Sequence, residues 1–306
     1  MMESFKLEKI YNTLLIDQVK ERIEKVILTL AIVSFIVHLV IIYLVKFGVL
    51  DFGENSDLIN NPIAAIYTPF SFILLYEVYL LIYYLPKSFT TYIGKQYEII
   101  TLIIIRRLFK DLSNLELKGD WFTIKYDLQF TYDLVTSIII FGLIYFFYKK
   151  SKVPFSAGIE QESNSMALSK FIKIKKLIAL ILVPLFVILS IYSFTTWILS
   201  LTNPSDYAAY SFNSINNIFF EHFFNILIFA DVLVLLFSFF ITDDFHKVIR
   251  NSGFIISTIL IRISFSTSGL ANNVLIISAI VFGLLIVIIH NKFEKLIHED
   301  ERIQSN

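Results

Sequence analysis

The sequence predicts an all-α integral membrane protein. Its eight transmembrane helices form two parallel four-helix bundle repeats, with both termini cytoplasmic. Three observations carry that prediction. Hydrophobic residues make up 56% of the 306 and charged residues only 17%, with a mean hydropathy of +0.71. Soluble domains run at about 45–50% apolar and about 25% charged. The apolar residues gather in long blocks, and roughly 30 Å of hydrocarbon asks for a helix of about 20 residues. Lys and Arg then crowd into alternate connections, as they do where loops face the cytoplasm. Helices are expected because backbone groups in hydrocarbon must bond within their own segment or in a closed barrel.

Five blocks meet the length test directly: Val26–Leu50, Ile63–Leu85, Leu134–Tyr148 (extended by Phe130 and Tyr132), Leu177–Leu201 and Val274–His290. A sixth, Ile215–Ile241, is long enough and carries Glu221, His222 and Asp231. Two more are short and interrupted. Tyr97–Phe109 contains Glu98, Arg106 and Arg107, and Phe254–Phe265 contains Arg262. If both cross, the cytoplasmic connections hold nineteen basic residues and the outer ones two. If they only dip into the bilayer, the seven lysines of the linker 149–176 are forced outside. Eight spans follow from the positive-inside rule. No small-residue cleavage site follows the first block, so it reads as an anchor rather than a removed signal. Trp197 and Trp121 fall near the outer interface, where amphipathic rings settle. Pro69 and Pro184 fall inside helices, where kinks and freed carbonyls are expected.

The chain also resembles itself. At an offset of 156, Ile99, Ile100, Ile103, Ile105, Arg106 and Phe109 meet Ile255, Ile256, Ile259, Ile261, Arg262 and Phe265. Glu77-Val78 corresponds to Asp231-Val232, and Phe141-Gly142-Leu143 to Phe282-Gly283-Leu284. Two units of the same orientation are expected, 1–150 and 151–306, joined by the polar linker 149–176. An even number of spans per unit preserves direction, so the repeats are parallel.

Ionisable residues at membrane depth cost about 2.5–3.5 kcal/mol each on insertion scales and must be paired or wet. They are Glu77, Arg106 and Arg107 in the first unit, and Asp231 with Arg262 in the second. Antiparallel neighbours can bring an acid and an Arg to one depth, so Glu77/Arg106 and Asp231/Arg262 read as pairs. They serve either as structural ion pairs or as the ion or proton path of a transporter or channel. Arg106, Arg107 and Lys110 are too short a basic series for a voltage sensor. His38 is expected to pack against or bond a neighbouring helix, and His222 beside Glu221 to anchor at the interface. Asp243, Asp244 and His246 read as a solvated loop, and His290, His298, Glu299, Asp300 and Glu301 as a hydrated tail. With no cysteine, no HExxH, no Gly-rich phosphate loop and no GxSxG, no enzymatic activity, metal or cofactor is expected. Zero net charge excludes a basic field for nucleic acid. The expected partners are the lipid bilayer, anionic lipid at the lysine-rich linker, and a membrane protein or a second copy.

The stretch Glu77–Asp111, EVYLLIYYLPKSFTTYIGKQYEIITLIIIRRLFKD, resembles the phosphate-starvation-inducible E (PsiE-like) family of small bacterial four-helix membrane proteins. Glu77 matches the acid of that family's second helix, Lys87–Gln96 its basic and aromatic loop, and Ile105-Arg106 the end of its third helix. Asp231, Lys247–Arg250 and Ile261-Arg262 fill the same places in the second half. The resemblance implies the bacterial inner membrane and a stress-related or accessory role. Family members are typically one unit, whereas this chain reads as a tandem pair.

Overall fold

The structure is a computed structural model, and it describes residues 2–49, 62–112, 125–151, 165–202, 212–241, 244–267 and 269–304. Among the described residues there is no strand. The helices are α1 (Met2–Leu14), α2 (Asp17–Lys46), α3 (Tyr67–Tyr84), α4 (Phe89–Leu112) and α5 (Lys125–Ser151). They continue with α6 (Ser165–Thr202), α7 (Phe212–Phe239), α8 (Phe245–Ser264) and α9 (Leu270–Gln304). A 3₁₀ turn, Pro62–Ile66, leads into α3.

Among the described residues, five stretches are long and apolar enough to cross a membrane: Glu8–Lys46, Asp127–Ser151, Leu168–Tyr192, His222–Phe239 and Leu270–Ile297. Thr68–Tyr84 is a shorter apolar helix. The outward faces suit lipid: on α2, Val26, Ile32, Val33, Ile36, Val37 and Val40 are all exposed. Such a surface is stable only where the surroundings are themselves apolar. The chain is thus an all-α protein of membrane type.

Local chemistry explains the ends of α2. Asp17 stands in its first turn and Lys46 in its last, each sign complementing the helix dipole. Gly48 follows at φ +74°. The Gly48 N–H reaches the Val45 carbonyl and the Val49 N–H reaches Leu44, the paired bonds of a Schellman turn, in which glycine adopts the left-handed conformation without strain.

Four helices, α4, α5, α6 and α9, exceed their apolar blocks in both directions. The two short Arg-bearing segments lie within continuous helices, α4 of 24 residues and α8 of 20. They looked short because much of each is polar, and several of those polar positions are buried. On α8, Asn251, Ser257, Thr258, Arg262 and Ser264 are buried. The linker read as 149–176 is also shorter, since α5 runs to Ser151 and α6 begins at Ser165. Pro69 sits in the first turn of α3 rather than in its interior, where a missing N–H costs no intrahelical bond. Pro184 does lie inside α6. Trp121 lies outside the described residues.

Successive helices are neighbours from α2 to α5 and again from α6 to α9. The two sets meet where α4 lies on α8 and α5 on α9, with a further contact of α3 on α6. The core sits at that junction. The Phe147 ring of α5 packs edge-on against Tyr97 of α4 at 5.1 Å and against Phe254 of α8 at 5.9 Å.

Candidate functional site

The candidate site is a set of polar clusters inside this apolar bundle. The deepest is centred on Asp231 of α7, which has no exposed surface. Arg262 of α8 donates Nη2 to Asp231 Oδ2 at 2.7 Å, so the pair expected from sequence is formed. Two residues of α4 complete it. Tyr92 donates its hydroxyl to Asp231 Oδ1 at 2.7 Å, and the Gln96 Oε1 accepts from Arg262 Nη2 at 2.9 Å. The carboxylate thus trades water for charge-assisted bonds, the exchange a buried charge requires. Lys175 of α6 adds a second positive charge acting on Asp231. Read as a cytoplasmic linker residue, Lys175 is instead buried. Its Nζ donates to the Lys87 carbonyl at the α3–α4 turn and lies over the Phe89 ring at 5.1 Å.

The second cluster is centred on Arg107 of α4. It grips Asp133 of α5 with both Nε and Nη2, the fork geometry that arginine favours with a carboxylate. Asn272 and Asn273 of α9 accept from Arg107 at 3.0 and 2.7 Å, and Asn273 donates to Asp133 at 2.7 Å. Gln129 donates to the same carboxylate at 2.7 Å. Asp133 has no exposed surface.

Of the five residues singled out in the sequence, Asp231 and Arg262 meet directly. Glu77 is buried on α3, and the charge of Arg106 on α4 acts on it. Arg107 finds a partner outside the sequence scheme. Asp133 was missed because the block Leu134–Tyr148 was extended upstream only for the rings of Phe130 and Tyr132, and the acid between them and Leu134 was passed over. Asn272 and Asn273, which fall between the blocks Phe254–Phe265 and Val274–His290 in sequence, are buried at the start of α9. Tyr92 and Gln96 lie on α4, in a stretch read as a loop. Their spacing of four was the available signal, since residues i and i+4 share one helix face.

Further hydroxyls tie acids to neighbouring helices. Tyr76 and Tyr83 of α3 donate to Glu24 and Asp17 of α2, and Tyr148 of α5 donates to Glu98 of α4. Tyr97 of α4 bonds Ser257 of α8 at 2.7 Å, and Ser257 donates to the Ala279 carbonyl of α9. His38 of α2 bonds Thr68 of α3, as its position suggested. His222 is exposed. Asp243, and the side chains of Glu221, Lys110 and Trp197, lie outside what is described. His290 does not belong to a hydrated tail: it is buried inside α9 and faces His246 of α8.

The fold and its clusters define a class, the polytopic helical membrane protein with a polar interior. Compared with protein-family models, with curated proteins and with solved structures, the chain matches none.

Proposed function

We propose that the chain is a non-enzymatic, multi-pass protein of the bacterial inner membrane that acts through protein or lipid contacts, in a stress-related or accessory role. In this reading eight helices cross, α2–α5 and α6–α9 form parallel repeats, and both termini are cytoplasmic. The lengths of α4 and α8 support two further full crossings. Their 24 and 20 residues extend about 36 and 30 Å at 1.5 Å per residue, against about 30 Å of hydrocarbon. Register supports the repeat: Arg106 stands seventeen residues after Phe89, and Arg262 seventeen after Phe245. The like-with-like contacts of α4 with α8 and α5 with α9 support it further.

One observation favours a scaffold over a conducting path. Each buried ion pair is completed by polar side chains from the other half of the chain. Tyr92 and Gln96 reach across to Asp231/Arg262, and Asn272 and Asn273 reach across to Arg107/Asp133. Such pairs hold two halves in register. A transport path needs its ionisable groups to exchange with water or cargo, whereas Asp231 is directly bonded and fully enclosed.

The test is a flux assay in sealed proteoliposomes with proton- and potassium-sensitive dyes. The wild type is expected to leak no faster than empty vesicles. A flux present in the wild type and lost in folded Glu77→Gln and Asp231→Asn variants would defeat the scaffold and install the ion-path alternative.

A further inference from the structure

We propose that the junction of α8 and α9 holds a site for one divalent first-row metal ion, zinc above all, ligated by His246, His290 and Glu294. The ligand atoms of the three side chains lie within 4.8 Å of one another. His290 Nε2 stands 3.1 Å from Glu294 Oε1, one helical turn along α9. The His246 ring, near the start of α8, stacks on His290 with centroids 5.2 Å apart. Tetrahedral zinc needs its donors about 3.3 Å apart, given bonds of about 2.0–2.1 Å. Donors up to 4.8 Å apart must therefore close by about 1.5 Å, and the two stacked rings must turn so that both lone pairs aim at one ion.

The surroundings fit a small ion. A cavity of about 30 Å³ opens between the helices, more than the roughly 10–15 Å³ that one water-sized sphere needs. His246, Arg250 and His290 line its polar side, and Phe245, Ile286 and Phe293 its apolar side. His290 is 6% exposed, and its Nδ1 is buried without a hydrogen-bond partner. Two imidazoles and a carboxylate match zinc, and three protein ligands leave a fourth position for water.

Arg250 places a condition on the site. Its Nη1 lies 2.8 Å from His290 Nε2. A guanidinium can only donate, so Nε2 presents its lone pair, as a metal ligand must. The arginine occupies the position of a cation against that lone pair, and Lys247 adds positive charge nearby. Metal binding must therefore displace the guanidinium, and Arg250 competes with the ion. The ion would clamp α8 to α9 and add stability by mass action.

The experiment uses the full chain, purified in detergent with any affinity tag removed. Cobalt(II) is titrated while its visible absorption is followed, and zinc is then used to displace it. One saturable site per chain with tetrahedral cobalt bands is expected, together with a zinc-dependent rise in melting temperature. His246→Ala and Glu294→Gln alter side chains that are not fully buried, so the fold should survive. Each should weaken binding about tenfold or more, and Arg250→Gln should tighten it. The proposal is overturned if the wild type shows no saturable site. It is also overturned if His246→Ala and Glu294→Gln bind as the wild type does, which would place the ion on the C-terminal tail. Weaker binding in Arg250→Gln would overturn the competition.

Discussion

Tyr92 of α4 donates its hydroxyl to Asp231 of α7 at 2.7 Å, across 139 positions of sequence and wholly inside the protein. The bond joins the first half of the chain to the carboxylate on which the second half's ion pair depends. Tyr92→Phe keeps the ring and removes only that donor. A hydrogen bond to a charged group contributes about 1.5–3 kcal/mol, so the variant should lose that much in a denaturant titration in detergent. An unchanged midpoint would mean that the hydroxyl carries no stability.

Asp231 and Arg262 should behave as a coupled unit. Removing one partner of a buried pair leaves an uncompensated charge and costs about 3–5 kcal/mol. Asp231→Leu and Arg262→Met are each expected to destabilise by that amount. The double variant should cost less than the two together, by a coupling of about 0.5–3 kcal/mol. Additive effects in the four-member cycle would show that the pair does not interact energetically.

The Arg107 cluster ranks its members by what each leaves behind. Asp133→Asn strips the carboxylate from a two-point grip and should be the most damaging substitution there. Asn273 both accepts from Arg107 and donates to Asp133, so Asn273→Ala removes two charge-assisted bonds at once and should cost about 1–3 kcal/mol. Leu134→Ala, at the adjacent exposed position, should cost far less. Melting temperatures of the three variants give the order directly.

These clusters also mark where the sequence was readable. Helical class and membrane type followed from composition and block length, because both depend on the sum of many residues. The Asp231–Arg262 pair was legible because charges inside apolar blocks are few and must find each other. Asp133, Tyr92, Gln96, Asn272 and Asn273 were not, for a common reason. Hydropathy marks where lipid-facing runs end, whereas these helices continue past their apolar stretches into the protein interior. An Asn or Asp at such an edge reads as loop in sequence. Lys175 misled in the same way: its charge suggested water, yet its long side chain lies over two rings.

Two glycines of the repeated triplet should respond oppositely to alanine. A Cβ on Gly283 would fall 1.9 Å from the Tyr97 hydroxyl and 3.1 Å from Ser257 Oγ, so the Tyr97–Ser257 bond must move. Overpacking of this kind costs about 1–3 kcal/mol. A Cβ on Gly142 meets nothing within 4 Å, and alanine there should be neutral, or stabilise by up to about 1 kcal/mol through helix propensity. Thermal melts of Gly142→Ala and Gly283→Ala separate the two. Equal shifts would refute the packing role given to Gly283.

Topology can be tested on the natural background, since the chain contains no cysteine. Asn272, a position that sequence alone would place in an outer loop, is unsuitable because it is buried and bonded to Arg107. Ser266, exposed just beyond α8, replaces it. Single cysteines at Asn55, Asp120, Ser163, Ser205 and Ser266 are treated in intact cells with a membrane-impermeant maleimide. If α4 and α8 both cross, every position but Ser163 reacts from outside. Were α4 to turn back within the bilayer, Asp120 would lie inside and be protected while Asn55 still reacted. Protection of Ser266 with labelling at Ser205 would report the same failure for α8. In either case the two units could not run parallel, although the Asp231–Arg262 contact itself would stand.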